Sequence, residues 1–144
     1  MVWYKNAEGR HGASGAKGDA GEELVEAYLD EHNIPYEGKK DYISQVKKKI
    51  DYIVDGTTMD VKTNAYMDFL ALEIETSKGT PGWLYTSTAE EIYGVDLNKE
   101  EIYKYNLSEM REYAENNLHR IKKTRNGSAL LWVHKENKLI ERLQ

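Results

Sequence analysis

The chain has 144 residues, 40% of them hydrophobic and 31% charged, with a formal net charge of −5. That length fits one core of ordinary domain size, and eleven tyrosines and three tryptophans supply bulky interior material that disordered chains lack. The absence of cysteine excludes disulfide scaffolds, thiolate nucleophiles and cysteine-ligated zinc or iron–sulfur centres. No apolar run is long enough to cross a bilayer and no secretory signal opens the chain, so a soluble cytoplasmic protein with no membrane partner is expected.

Residues 1–17 carry glycines at 9, 12 and 15 without any apolar period, and read as a flexible N-terminal arm; 18–144 then form one domain. From Asp19 the positions Leu24, Val25, Tyr28 and Leu29 follow helical spacing, interleaved with Glu22, Glu23, Glu26 and Asp30. Pro35 disfavours helical geometry at Ile34, so this helix is expected to stop near His32-Asn33. Residues 50–55 read as a strand, Asp55-Gly56-Thr57-Thr58 as a turn, and 59–63 as the returning strand of a hairpin. A third strand is expected over 69–76, ahead of the loop chemistry of Gly79-Thr80-Pro81-Gly82. Residues 86–92 suit a short helix capped by Thr86 or Ser87, and 101–106 suit a strand. A further helix is expected to begin at Ser108, with Leu107, Met110, Tyr113, Ala114 and Leu118 as its apolar stripe, and 129–134 form a last strand. The alternation of helices and strands predicts a mixed α/β domain.

The charge is unevenly spread. Residues 50–118 hold five Lys/Arg against fourteen Asp/Glu, whereas 119–144 hold seven against two. Arg120, Lys122, Lys123 and Arg125 form a run without an acid, and Lys47, Lys48 and Lys49 form a second cluster. Such clusters suit phosphate contacts, together with Arg10 and Lys17 of the arm; solvated surface is the plainer explanation of any one of them.

The chemistry-bearing pattern is the hairpin. Strand alternation sends Asp60 and Lys62 to one face and Met59, Val61 and Thr63 to the other. Antiparallel pairing brings Asp51, at the start of the first strand, toward Asp60 or Lys62. Two carboxylates placed together repel unless a cation neutralises them, and Mg²⁺ binds through one or two carboxylates plus substrate phosphate and water. Taken alone, an Asp-x-Lys triplet is also the ordinary outer face of an exposed strand. The histidines are too scattered for a zinc hydrolase, and neither a phosphate-binding loop nor a serine elbow is present. Glu73 and Glu75 share a strand face expected to point to water, and Trp83 and Tyr85 read as loop anchors sooner than as base-stacking groups.

Three segments together resemble the PD-(D/E)xK nuclease superfamily: residues 17–29, which include Gly18-Asp19-Ala20-Gly21-Glu22; residues 50–54; and Asp60-Val61-Lys62. That superfamily includes Holliday-junction resolvases, restriction enzymes and phage recombination nucleases. The matched span, 17–76, is under half the chain, and Ile50 stands where many members carry proline. The resemblance implies a restriction-endonuclease-like core, a central mixed β-sheet flanked by helices. It implies Glu22 on the first helix, with Glu23 a close competitor, Asp51 as the strand aspartate, and Asp60 and Lys62 as the triplet's acid and lysine. Asp51, Asp60, the Val61 carbonyl and Glu22 would then hold Mg²⁺, with Mn²⁺ able to substitute. The activity implied is phosphodiester hydrolysis in DNA, with branched DNA such as a Holliday junction one candidate substrate, and in host cytoplasm if the chain is phage-encoded. A junction-cutting nuclease would be expected to act as a homodimer, because two symmetric cuts require two sites. The alternatives are a catalytically inactive nuclease-fold module that binds nucleic acid or protein, and an ordinary α/β interaction domain.

Overall fold

The computed structural model describes residues 13–38 and 51–144, with side chains from Lys17 onward. Helix α1 (Ala13–Glu31) buries Gly21, Val25, Tyr28 and Leu29, the spacing of one helical face. It starts inside the stretch expected to be an arm: residues 13–17 are helical, and 1–12 lie outside the described residues. Its end satisfies the orphan carbonyls through a Schellman motif. Asn33 takes a left-handed φ of 54°, Ile34 N–H donates to the Leu29 carbonyl at 2.9 Å, and Asn33 N–H donates to that of Asp30 at 3.2 Å. The chain therefore leaves the helix where Pro35 led us to expect.

The following elements are β1 (Tyr36–Gly38), β2 (Tyr52–Val54), β3 (Thr57–Lys62), β4 (Ala65–Tyr66), β5 (Phe69–Glu75), α2 (Trp83–Thr86), β6 (Glu91–Asp96), β7 (Glu101–Asn106), α3 (Leu107–Glu115), β8 (Lys122–Lys123), β9 (Ala129–His134) and β10 (Glu141–Arg142). Six of them form one sheet in the order β1-β2-β3-β6-β7-β10. β3 and β6 run parallel and every other neighbouring pair is antiparallel, which is the mixed sheet of the expected α/β core. The β2–β3 turn holds only Asp55 and Gly56, with φ of 49° and 86°, the doubly left-handed geometry that matches hairpin twist. The returning strand consequently begins at Thr57, ahead of the expected start at 59.

A second sheet, antiparallel throughout, has the order β4-β5-β9-β8. The sequence did not announce it as a separate layer. Only Thr63 and Asn64 link β3 to β4, so the chain passes almost directly from one sheet into the other. Two apolar clusters result. On one face of the large sheet α1 packs Val25 and Leu29 against Met59, Val61, Val95 and Ile102. On the other, Leu70, Leu72, Leu131 and Val133 of the second sheet meet Ile92, Tyr105, Leu107 and Met110. Each fully buried Leu or Ile contributes about 1.5–3 kcal/mol, and truncating Leu29 to alanine would cost about 2–5 kcal/mol.

Two boundaries differ from expectation. The helix expected over 86–92 lies instead at Trp83–Thr86, and Glu91 already begins β6. Arg111 explains the shift: its Nε and Nη2 donate to the Leu84 and Ser87 carbonyls at 2.6 Å each, capping the short helix from α3. α3 itself is capped by Asn106, not by Ser108, since the Asn106 side chain accepts from Glu109 N–H at 2.9 Å. Among the described residues no helix is long and apolar enough to cross a membrane.

Candidate active site

Alternation along β3 decides what faces what. Met59 and Val61 join the cluster under α1, while Asp60 and Lys62 turn toward the second sheet. Asp60 lies in register with Ile92, and Ile92 with Tyr105, so the acid is set in an otherwise apolar row. It is 4% exposed. The Lys62 ammonium stands 3.1 Å from Asp60 Oδ2 and 5.3 Å from the centre of the Trp83 ring. Oδ2 is buried, and the ammonium meets it at ion-pair distance while no hydrogen bond reaches it.

Asp51 completes the group. Its N–H donates to the Met59 carbonyl at 2.8 Å and its Oδ2 accepts the Val61 N–H at 2.9 Å, which pins the carboxylate beside the end of β3. Burial pushes the Asp60 carboxyl well above the ordinary carboxylate range. Lys62 pulls it down, and hydrogen bonding to Asp51 together with that neighbour's charge pushes it up again. Tyr105, which nothing in the sequence singled out, is fully buried with its hydroxyl unpartnered. Burial first, and then the charge of Asp60, hold that phenol well above its usual range.

The first helix approaches from the opposite face. A Cβ at Gly21 would overlap the Thr63 Oγ1, so only glycine lets this turn of α1 lie against the strand that carries the triplet. Glu22 is half-buried there and Glu23 is exposed. Burial raises the Tyr52 hydroxyl, as do its 2.6 Å hydrogen bond to Glu26 and the charges of Glu22 and Asp51. The structure brings Asp51, Asp60 and Lys62 together, with the Val61 N–H on Asp51, and places Glu22 on α1 against the opposite face of the sheet.

Among the described residues no three His, Asp or Glu side chains cluster tightly enough to hold a metal ion by themselves. The two-carboxylate set nevertheless suits a hard divalent cation. It offers oxygen donors only, one of them buried and lacking a hydrogen bond, and a cation would offset the burial, and after it the Asp51 charge, that raise Asp60.

Glu73 does not simply face water: its half-buried carboxylate accepts the Trp83 backbone N–H at 3.1 Å and so fixes the start of α2, whose Trp83 ring lies under Lys62. Tyr85 donates its hydroxyl to Glu115 at 2.7 Å, an anchoring role. Arg120, Lys122, Lys123 and Arg125 are all exposed, with Lys122 and Lys123 forming β8 at the edge of the second sheet. Lys47, Lys48, Lys49 and Arg10 lie outside the described residues, and Lys17 is exposed on α1. A cavity of about 620 Å³ lies away from the triplet, lined by Asp68, Glu101, Lys135 and Arg142 among others. Beside it, buried Lys135 is saturated by Asp96 at 2.7 Å and Glu101 at 2.9 Å, which is a structural ion cluster.

The fold is similar to that of a bacterial homing endonuclease, I-Ssp6803I, with a TM-score of 0.53 at 12% sequence identity. The match covers 92% of this chain and 83% of that one, so it includes both sheets. At this identity the likeness is one of fold. No protein-family model and no curated protein matches the sequence.

Proposed function

We propose that this protein is a divalent-metal-dependent DNA endonuclease of the PD-(D/E)xK type. The observation that carries the reading is the convergence of Asp51, Asp60 and Lys62, with a buried Asp60 oxygen left without a hydrogen bond. The fold shared with a homing endonuclease supports it. Asp51 and Asp60 would hold Mg²⁺ or Mn²⁺, with the Val61 carbonyl as a further oxygen and Glu22 in support from α1. When bound, the cation polarises the phosphate and lowers the pKa of water.

The chain's own part is electrostatic and positional. Lys62, steadied between Asp60 and the Trp83 ring, presents a positive charge where the phosphate oxygens gain negative charge as water adds and the ester oxygen departs. The exposed cations at Arg120, Lys122, Lys123 and Arg125 would hold the backbone. The test is cleavage of duplex and branched DNA with Mg²⁺ or Mn²⁺. Lys62→Ala and Asp60→Ala are each expected to abolish cutting while circular dichroism stays native. Full cutting by either variant would refute the assignment.

One observation favours a second reading, a nuclease-fold module that binds nucleic acid without cleaving it: the described acids cluster as a pair, not as a threesome. Binding by wild type with no cleavage under either metal would establish that reading instead.

A further inference from the structure

The second sheet has one face with no assigned role. Its inner face is Leu70, Leu72, Leu131 and Val133. By register its outer face carries three rows: Tyr66–Phe69–His134, Ala71–Trp132, and Glu73–Leu130–Lys122. Tyr66, Met67 and Phe69 are 66%, 64% and 37% exposed, three of the four large hydrophobic side chains that stand out into solvent among the described residues. The Tyr66 and Trp132 rings lie 6.3 Å apart at a tilt, and Phe69 meets the His134 ring edge-on at 5.2 Å. None of Tyr66, Phe69 and Trp132 joins either core cluster.

Charge indicates what such a face would accept. Along its edge β8 exposes Lys122 and Lys123, flanked by exposed Arg120 and Arg125, in a chain whose net charge is −5. Of the neighbouring acids, Glu73 is turned to the Trp83 backbone N–H, Glu75 lies 3.9 Å from Lys123, and exposed Asp68 lies 3.8 Å from Lys99. A second copy of the sheet docked on this one would bring the same four cations together. Rings flanked by cations are instead what single strands require, since bases stack on aromatic faces and phosphates follow the positive edge. The face is also close to the triplet. Tyr66 follows Lys62 by four residues, at most about 14 Å of extended chain.

We propose that the outer face of the second sheet binds an unpaired stretch of nucleic acid, with bases on Tyr66, Phe69 and Trp132 and phosphates along Lys122 and Lys123. In its fuller form, in which that stretch belongs to the substrate and adjoins the scissile bond, the inference rests on the nuclease reading. A substrate with single-stranded nucleotides beside the cut, such as a flap, is then preferred to blunt duplex.

The experiment is fluorescence anisotropy with labelled oligothymidylate and a blunt duplex, in chelator so that nothing is cut. Tyr66→Ala and Trp132→Ala are each expected to weaken oligothymidylate binding about ten-fold, while duplex binding changes little. Tyr66→Phe should bind as wild type does. Trp132→Phe should retain binding but lose part of the tryptophan quench, a readout that misfolding would not reproduce. Unchanged oligothymidylate affinity in both alanine variants overturns the proposal. So does wild type that binds no oligothymidylate, or that elutes as a dimer which Tyr66→Ala renders monomeric. Ring-dependent binding in a protein that cuts no DNA would keep this surface and end the nuclease reading. Duplex cleavage with ring-independent binding would do the reverse.

Discussion

Asp60→Asn, studied in chelator, tests whether the buried acid is held in the conflict the geometry describes. An unfolded aspartate titrates near about 3.9, whereas burial and Asp51 hold the folded carboxyl well above that. Between those two values the folded protein binds a proton that the unfolded chain does not. Asp60's contribution is therefore fully present below about pH 4 and is lost as pH rises through the folded pKa, at about 1.4 kcal/mol per pH unit. For a chain of this size that is about 4 °C of melting temperature per unit. Asparagine has the same shape and no proton to lose, so the variant should melt higher than wild type at neutral pH and converge with it near pH 4. Asp96 and Glu101, which are lowered despite burial by hydrogen bonds and charge from Lys135, act in the opposite direction. Both chains keep them, so they cancel in the difference. Lys62 loses its counter-ion, but its side chain is 22% exposed and water takes over. Melting curves of the two proteins from pH 4 to 8 decide the matter. Parallel curves would mean that Asp60 titrates normally and would remove the physical case for a cation there.

Three more outcomes are expected. Adding Mg²⁺ at neutral pH should raise the melting temperature of wild type but not of Asp60→Asn, by about 2.7 kcal/mol of stability at one hundred times the dissociation constant; calorimetry with and without the ion measures it. Lys135→Met leaves Asp96, whose side chain is only 6% exposed, without its cation and Glu101 with Arg142 alone, and should cost about 3–5 kcal/mol in a denaturant titration. Gly21→Ala forces the middle of α1 away from Thr63; it should cost about 1–3 kcal/mol, and reduce cleavage more than Gly18→Ala, which meets nothing within 4 Å.

Local chemistry was sufficient for much of this molecule. Val25, Tyr28 and Leu29 mark a helical face because their spacing leaves only one side to bury, and Pro35 marks its end. Asp55-Gly56 specifies a hairpin because both positions must take positive φ. The same period-two rule places Asp60 with Lys62, so the triplet is legible before any fold is known. Where reading failed, the missing information lay far away in sequence. Glu91–Asp96 is a strand because Glu101–Asn106 and β3 pair with it, and its Gly94 lies close against Leu70, whose Cδ1 a Cβ would meet at 3.0 Å. α2 sits at Trp83 because Arg111 captures its carbonyls across the interior. Tyr105 joins Asp60 only through an intervening strand, and Trp83 reaches Lys62 only once the second sheet has folded back over the first. Backbone dihedral preferences and side-chain period act within a few residues and are written in the sequence. Burial, the loss of solvent that raises Asp60, and the choice of ring beneath a lysine arise from the packing of two sheets, and the tertiary structure alone decided them.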